Sequence, residues 1–162
     1  MRRWVISKSE RKRLLERLSS LYPGLGIGRD ARIEVVVEED VKAYLIDGIP
    51  AFYEAGDGTL IPLLFYLLKR GYRGWLPYIV VDEGAVRPIS RGADLMRPGI
   101  VEVGGDFDRG AIVVIVDPNH RLPLAVHRSL YSSEEIKAME RGRVSKCLHH
   151  VGDRYWRMFK GL

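Results

Sequence analysis

The sequence predicts an α+β protein of two compact domains: an N-terminal α/β domain over residues 1–76, then a C-terminal β-barrel over 77–162. Three observations carry that expectation. The first half reads as helix, strands and a second helix. A Gly- and Pro-rich stretch, "GYRGWLP", interrupts both periodicities near the midpoint. Beyond it the apolar runs are short and numerous with only brief helical patterns, as in small barrels. At 162 residues and 46% hydrophobic, the chain is long enough for each half to bury a core.

The elements follow in order. Ser7 with Glu10 is a capping-box pattern, and Leu14, Leu15, Leu18, Leu21 and Tyr22 then recur at helical spacing until Pro23-Gly24. "RIEVVVEEDVKAYLIDGIPAFY" reads as strands, with Asp47-Gly48 the signature of a two-residue hairpin turn. From Thr59, "TLIPLLFYLLKRG" predicts a helix apolar on nearly all sides, with Pro62 in its first turn and Gly71 capping its end. "GYRGWLP" is then expected to act as a hinge. "YIVVDEGAVRPI" and "GIVEV" read as short extended pieces around the turn "RGADLM". "AIVVIVD" has the composition of a buried central strand, and "LPLAVHR" pairs with it across the turn "PNHR". Ser132 with Glu135 starts a helix closed by Gly142, and "KCLHHVGDRYWRMF" is expected to form a hairpin turning at Gly152-Asp153.

Charge is segregated along the chain. Residues 2–17 hold seven Lys/Arg against two Glu, residues 29–57 eight acids against three cations, and residues 141–160 six cations against Asp153. The net charge of +5 favours a polyanionic partner, and the alternation suggests two kinds of partner surface. No apolar run is long enough to span a bilayer and the N-terminus lacks an apolar signal region, so a cytoplasmic protein with no membrane partner is expected. Cys147 is the sole cysteine, which excludes an internal disulfide and a cysteine metal cluster. Gln is absent and Asn occurs once, a depletion that suits a thermophilic source.

Two longer stretches, "VDEGAVRPISRGADLMRPGIV" and "LAVHRSLYSSEEIKAMERGRVSKCLHHVGDRYW", resemble the PUA domain, the RNA-binding module named for pseudouridine synthases and archaeosine transglycosylases. The likeness covers about residues 78–160. "LYPGL", the Asp47-Gly48 hairpin and "TLIPLLFYLLKRGYRGWLPYIVVDEGAV" are similar to the N-terminal domain of the malignant T-cell-amplified sequence proteins, in which a PUA domain follows directly. This resemblance implies an archaeal-like translation factor, not an enzyme. It would act with a density-regulated or initiation-factor-like partner on the small ribosomal subunit, in initiation, reinitiation or recycling, with the PUA domain on the tRNA acceptor end. The second reading is a ribosome-biogenesis or RNA-modification accessory protein that presents RNA.

In PUA domains the first strand, the short helix after it, the second strand and the last strand form the RNA groove. Carried over, the helix falls at about Ser90 to Met96, the second strand starts near Arg97, and the last strand holds Tyr155 and Trp156. The resemblance thereby implies RNA-binding roles for Arg91, Gly92, Ala93, Arg97, Pro98, Gly99, Lys146 and one of Tyr155 and Trp156. Gly92, Ala93 and Gly99 either admit a ribose or phosphate close to the backbone or merely turn the chain. Arg91 and Arg97 supply charge-assisted donors to phosphate. Leu95 and Met96 are read as barrel packing, and Asp94 as structural, capping the short helix or pairing with Arg97. Arg11, Lys12 and Arg13 on the first helix are candidates for ribosomal RNA, and the acidic 29–57 segment for a protein partner.

Cys147, His149, His150 and Asp153 also invite a catalytic or metal reading. On a regular strand Cys147 and His149 share one side and His150 the other, so at most part of the cluster converges, and the histidines are read as structural or, for one of them, as a phosphate contact. No second ligand motif, Walker loop or nucleophile elbow accompanies it, and no catalytic residue, metal or cofactor is expected.

Overall fold

The computed structural model describes residues 1–162. The N-terminal half contains β1 (Arg2–Val5), α1 (Lys8–Leu21), β2 (Ile33–Glu38), β3 (Val41–Ile46), β4 (Ile49–Glu54), β5 (Leu60–Pro62) and α2 (Leu64–Arg70). Its strands form an antiparallel meander in chain order. The Ser7 hydroxyl accepts from the Glu10 N–H and starts α1, which buries Leu14 and Leu18. Asp47 and Gly48 both take positive φ, 51° and 80°, the geometry a two-residue hairpin demands. The expected helix from Thr59 begins later, because Leu60 to Pro62 pair with β4 as an edge strand. At an edge Pro62 forfeits no ladder donor to an inner neighbour, and an apolar run buried on both sides has no period to betray it as strand. Gly71 ends α2 at φ 80°, as anticipated.

The C-terminal half holds β6 (Tyr78–Val81), α3 (Glu83–Ser90), β7 (Leu95–Met96), β8 (Ile100–Gly104), β9 (Ile112–Val116), β10 (Pro123–Ser129), α4 (Ser133–Ala138), β11 (Arg143–His150) and α5 (Arg154–Phe159). The sheet runs β7-β11-β10-β9-β6-β8, with only β6 and β9 parallel. Its two edge strands, β7 and β8, are consecutive in the chain and joined by the 3₁₀ turn Arg97–Gly99. That turn links the edges of a curled sheet and makes the barrel incomplete. The expected helix at Ser90–Met96 lies one element earlier. Asp82 caps it by accepting from the Ala85 N–H at 3.0 Å, and Ile89 is its buried anchor. Gly84 and Pro88 weaken the helical signal there without preventing a helix this short.

The terminal hairpin expected at Gly152-Asp153 is instead a strand followed by a helix. Asp153 is the N-cap of α5, accepting from the Trp156 N–H at 2.8 Å, so the turn opens a helix rather than a second strand. Tyr155 stacks on Tyr53 with ring centroids 3.9 Å apart, and Trp156 on Phe65 at 4.3 Å. Phe159 is fully buried behind them.

Two cores result. One cluster of 29 buried residues takes in the N-terminal half together with Val80, Ile112, Val114, Val116, Val126 and Phe159. A smaller cluster of nine fills the barrel, with Ile79, Val81, Val113, Ile115 and Ala125 among them. β9 thus sends alternate residues into different cores, which is why "IVVIV" is apolar throughout. The "GYRGWLP" segment is packed rather than hinged. Tyr72 and Leu76 are buried, Trp75 meets the Tyr22 ring edge-on at 5.4 Å, and a Cβ on Gly24 would lie 1.9 Å from the Gly74 carbonyl oxygen.

The charge segregation is largely internal complementarity. Of the eight acids in residues 29–57, all except Asp30 form an ion pair within the chain. Arg3 reaches the nearly buried Glu34 at 3.1 Å, Arg17 reaches Glu54 at 2.8 Å, and Arg154 of α5 pairs with Asp40. Arg3 donates to Glu34 and holds its carboxyl below the usual range, against the opposing effect of burial. The acidic segment is accordingly not an open acidic face.

Candidate nucleic-acid interface

The stretch from Arg91 to Gly99 runs along the open rim of the barrel, between the end of α3 and the start of β8. Arg91 closes α3 and is exposed, with no carboxylate paired to it. Gly92 takes φ 101°, and a Cβ there would come within 2.7 Å of His150 Nε2, so both conformation and space require glycine. Gly99 has an ordinary backbone and serves close packing, since its Cβ would lie 3.3 Å from that of Ala85. Leu95 is buried in the barrel as expected, whereas Met96 is 51% exposed and contributes nothing to that core.

Asp94 is structural, though not through either contact expected of it. Its Oδ1 accepts from the Cys147 N–H at 2.8 Å and its Oδ2 from Arg143 at 3.4 Å. β7 pairs Leu95 with Ser145 of β11, so the Asp94 side chain takes over the ladder at the next rung and pins the Gly92-Ala93 loop to β11. Arg97 donates through Nε to the Ile136 carbonyl at 2.8 Å, among the last carbonyls of α4, and its backbone N–H reaches Gly142. That contact commits Arg97 to bracing the rim, while Pro98 beside it is exposed.

Three expected RNA residues lie elsewhere. Tyr155 and Trp156 are on α5, not on the last strand, and one face of each ring packs on Tyr53 and Phe65 respectively. Lys146 pairs with Arg128, whose guanidinium turns to Asp57 and Thr59 of the N-terminal half, so Lys146 shares the sheet face opposite to Cys147 and the Gly92 loop. On α1, Lys12 and Arg13 are exposed, but Arg11 donates to the carbonyls of Ala31 at 2.6 Å and Arg29 at 3.0 Å and holds the 28–31 loop.

The histidines divide differently from the regular-strand expectation. β11 has a one-residue bulge at Leu148, where His149 pairs with Val126 and Cys147 already with His127. The bulge places His150 with Cys147 on the barrel side and sends His149 alone to the other. His149 is fully buried. Its Nε2 accepts from the Leu64 N–H at 3.0 Å and its Nδ1 donates to Asp153 at 2.8 Å, so β11 caps the otherwise uncapped α2. Burial alone would raise the Asp153 carboxyl, but hydrogen bonds from His149, Trp156 and His150 hold it below its ordinary value.

Burial pushes the Cys147 thiol up to about 11 and pulls the His127 imidazole down to about 4, Asp94 opposing that fall and His150 adding to it. No three His, Cys, Asp or Glu side chains are grouped to hold a metal ion, and no helix is long and apolar enough to cross a membrane. The Asp94–Cys147 and Gly92–His150 contacts escaped the sequence reading because each joins residues more than fifty positions apart and follows no periodicity.

Family models match the two halves separately: the PUA domain over residues 77–151, and a domain of unknown function, DUF1947, over residues 2–70. An uncharacterised protein of Methanocaldococcus jannaschii is 33% identical, the alignment covering 99% of this chain and 98% of that one. Translation machinery-associated protein 20 of Saccharomyces cerevisiae is 30% identical over 93% of this chain and 89% of its own. The crystal structure of a PUA domain protein from Aeropyrum pernix superposes with a TM-score of 0.92 at 30% identity, covering 98% of this chain and 91% of that one.

Proposed function

The chain belongs to the family of translation machinery-associated protein 20 and the malignant T-cell-amplified sequence proteins, and from that premise we propose that it binds the acceptor end of tRNA on the small ribosomal subunit. The reading makes it a binding factor that performs no chemistry. The observation that carries it is the Arg91–Asp94 loop. Gly92 and Ala93 are small, half-buried residues at the barrel rim, Arg91 stands beside them as an uncommitted cation, and Asp94 ties the loop to β11. A rigid, small-residue rim with a free guanidinium suits a splayed 3′ terminus, where phosphate contacts give affinity and close backbone approach gives shape selection.

Pro98 and Gly99 extend the same rim, and Lys12 and Arg13 on α1 are assigned to ribosomal RNA. A protein partner of the density-regulated type fits the family. The test is binding of deacylated tRNA, intact or lacking its 3′-terminal nucleotides, at several salt concentrations. Trimming, or Gly92→Glu in the intact complex, is expected to remove a tight component and leave weak binding that falls steeply with salt. Equal binding by all forms overturns the acceptor-end reading and points to a structured RNA such as a ribosomal precursor. Lys12→Glu with Arg13→Glu is expected to weaken subunit association; unchanged association removes α1 from the interface.

A further inference from the structure

We infer that His150 reads the ribose of the bound nucleotide, its Nε2 accepting a hydrogen bond from a 2′-hydroxyl at the Gly92 rim. The inference rests on the RNA-binding reading above and adds to it the atom that tells RNA from DNA. His150 Nδ1 lies 2.9 Å from the Val151 carbonyl oxygen, which can only accept, so in the neutral ring the proton sits on Nδ1. Nε2 then carries a lone pair and has no partner within the chain. The Leu148 bulge turns this ring to the barrel side, and the absent side chain of Gly92 leaves room for it beneath the loop.

The contrast with its neighbour is informative. His149 has both nitrogens engaged and is sealed from solvent, whereas His150 is half-buried with one nitrogen fixed and the other left at the rim. An acceptor of fixed tautomer, held over a glycine with positive φ, matches a hydroxyl donor. Of the groups a nucleotide offers, the 2′-hydroxyl is the donor DNA lacks, whereas a phosphate oxygen would be repelled by the lone pair.

The experiment measures binding of deacylated tRNA with ribose or with 2′-deoxyribose at its three terminal nucleotides. The proteins are the full-length wild type, His150→Phe, His150→Gln and Gly92→Glu, each checked for native circular dichroism. The wild type is expected to prefer the ribose form about fivefold, the worth of one neutral hydrogen bond. His150→Phe keeps a ring against Gly92 and is expected to bind both forms as weakly as the wild type binds the deoxy form. His150→Gln, which restores an acceptor, is expected to recover part of the preference. Equal binding of both forms by the wild type, or an undiminished preference in His150→Phe, overturns the inference while a weakened Gly92→Glu leaves the RNA-binding rim standing. If Gly92→Glu binds as tightly as the wild type, the rim itself is wrong and the inference falls with it.

Discussion

The two faces of the C-terminal sheet are built from the same strands and do opposite work. On the face toward the N-terminal half, Val80, Val114, Val116 and Val126 enter a shared core, and the polar groups there are satisfied: His149 by Leu64 and Asp153, Arg128 by Asp57 and Thr59. On the barrel face a smaller apolar core gives way toward the rim to polar atoms without partners, His127 Nε2 buried and His150 Nε2 at the surface. The first face holds the molecule together. The second keeps the unsatisfied groups and positive-φ backbone that a ligand site uses, and those features add nothing to stability.

The strongest way to break this contrast is to empty the seam. Phe159→Ala removes a fully buried ring from the shared core and is expected to cost about 3–5 kcal/mol in urea unfolding. Because one cluster spans both halves, unfolding should remain a single transition by fluorescence and by circular dichroism; two separated transitions would refute a common core. Acid tests the barrel face. The unfolded imidazole of His127 takes a proton near 6.5, while the folded one resists until about 4, so stability should fall as pH drops through that window. The shift corresponds to about 3 kcal/mol. Asp94 faces this imidazole and favours its protonation, His150 opposes it, and Ser145 bonds its Nδ1, so His127→Leu should flatten the profile without moving those neighbours. Asp153, held low, adds a loss at still lower pH, because its stabilisation disappears as the carboxylate is protonated.

Asp94→Ala sharpens the comparison at the rim. It orphans the Cys147 N–H, is expected to cost about 1–2 kcal/mol, and should weaken RNA binding by loosening the Gly92 loop. Unaltered RNA binding would show that the loop is rigid without this contact. Arg154→Ala should do least. Its pairs with Glu39 and Asp40 lie in solvent, and no measurable shift in the unfolding midpoint is expected at physiological salt.

Local signals were legible wherever the cause was local. The Ser7 and Ser132 caps, the Asp47-Gly48 hairpin and the central strand at Ile112–Val116 follow from neighbouring residues and stand as read. The resemblance carried by "RGADLMRPG" and "VGDRYW" placed the rim near Arg91 to Gly99 but put Tyr155 and Trp156 on a strand. A single Asp153 cap turned that segment into a helix and its aromatics into seam. The acidic segment is largely paired within the chain, as linear charge runs say nothing of what folds against them.

By itself, then, the sequence determined the class of the fold, most caps and turns, and the family to which the chain belongs. Those properties depend on φ preferences, short-range hydrogen bonds and hydrophobic periods within a few residues. Only the tertiary structure decided which histidine meets the seam and which the rim, since a one-residue bulge at Leu148 reverses the faces of all that follows. It also decided that Gly92 lies on His150 and Asp94 on Cys147. Such contacts are set by the closure of strands distant in the chain, and no local pattern encodes them.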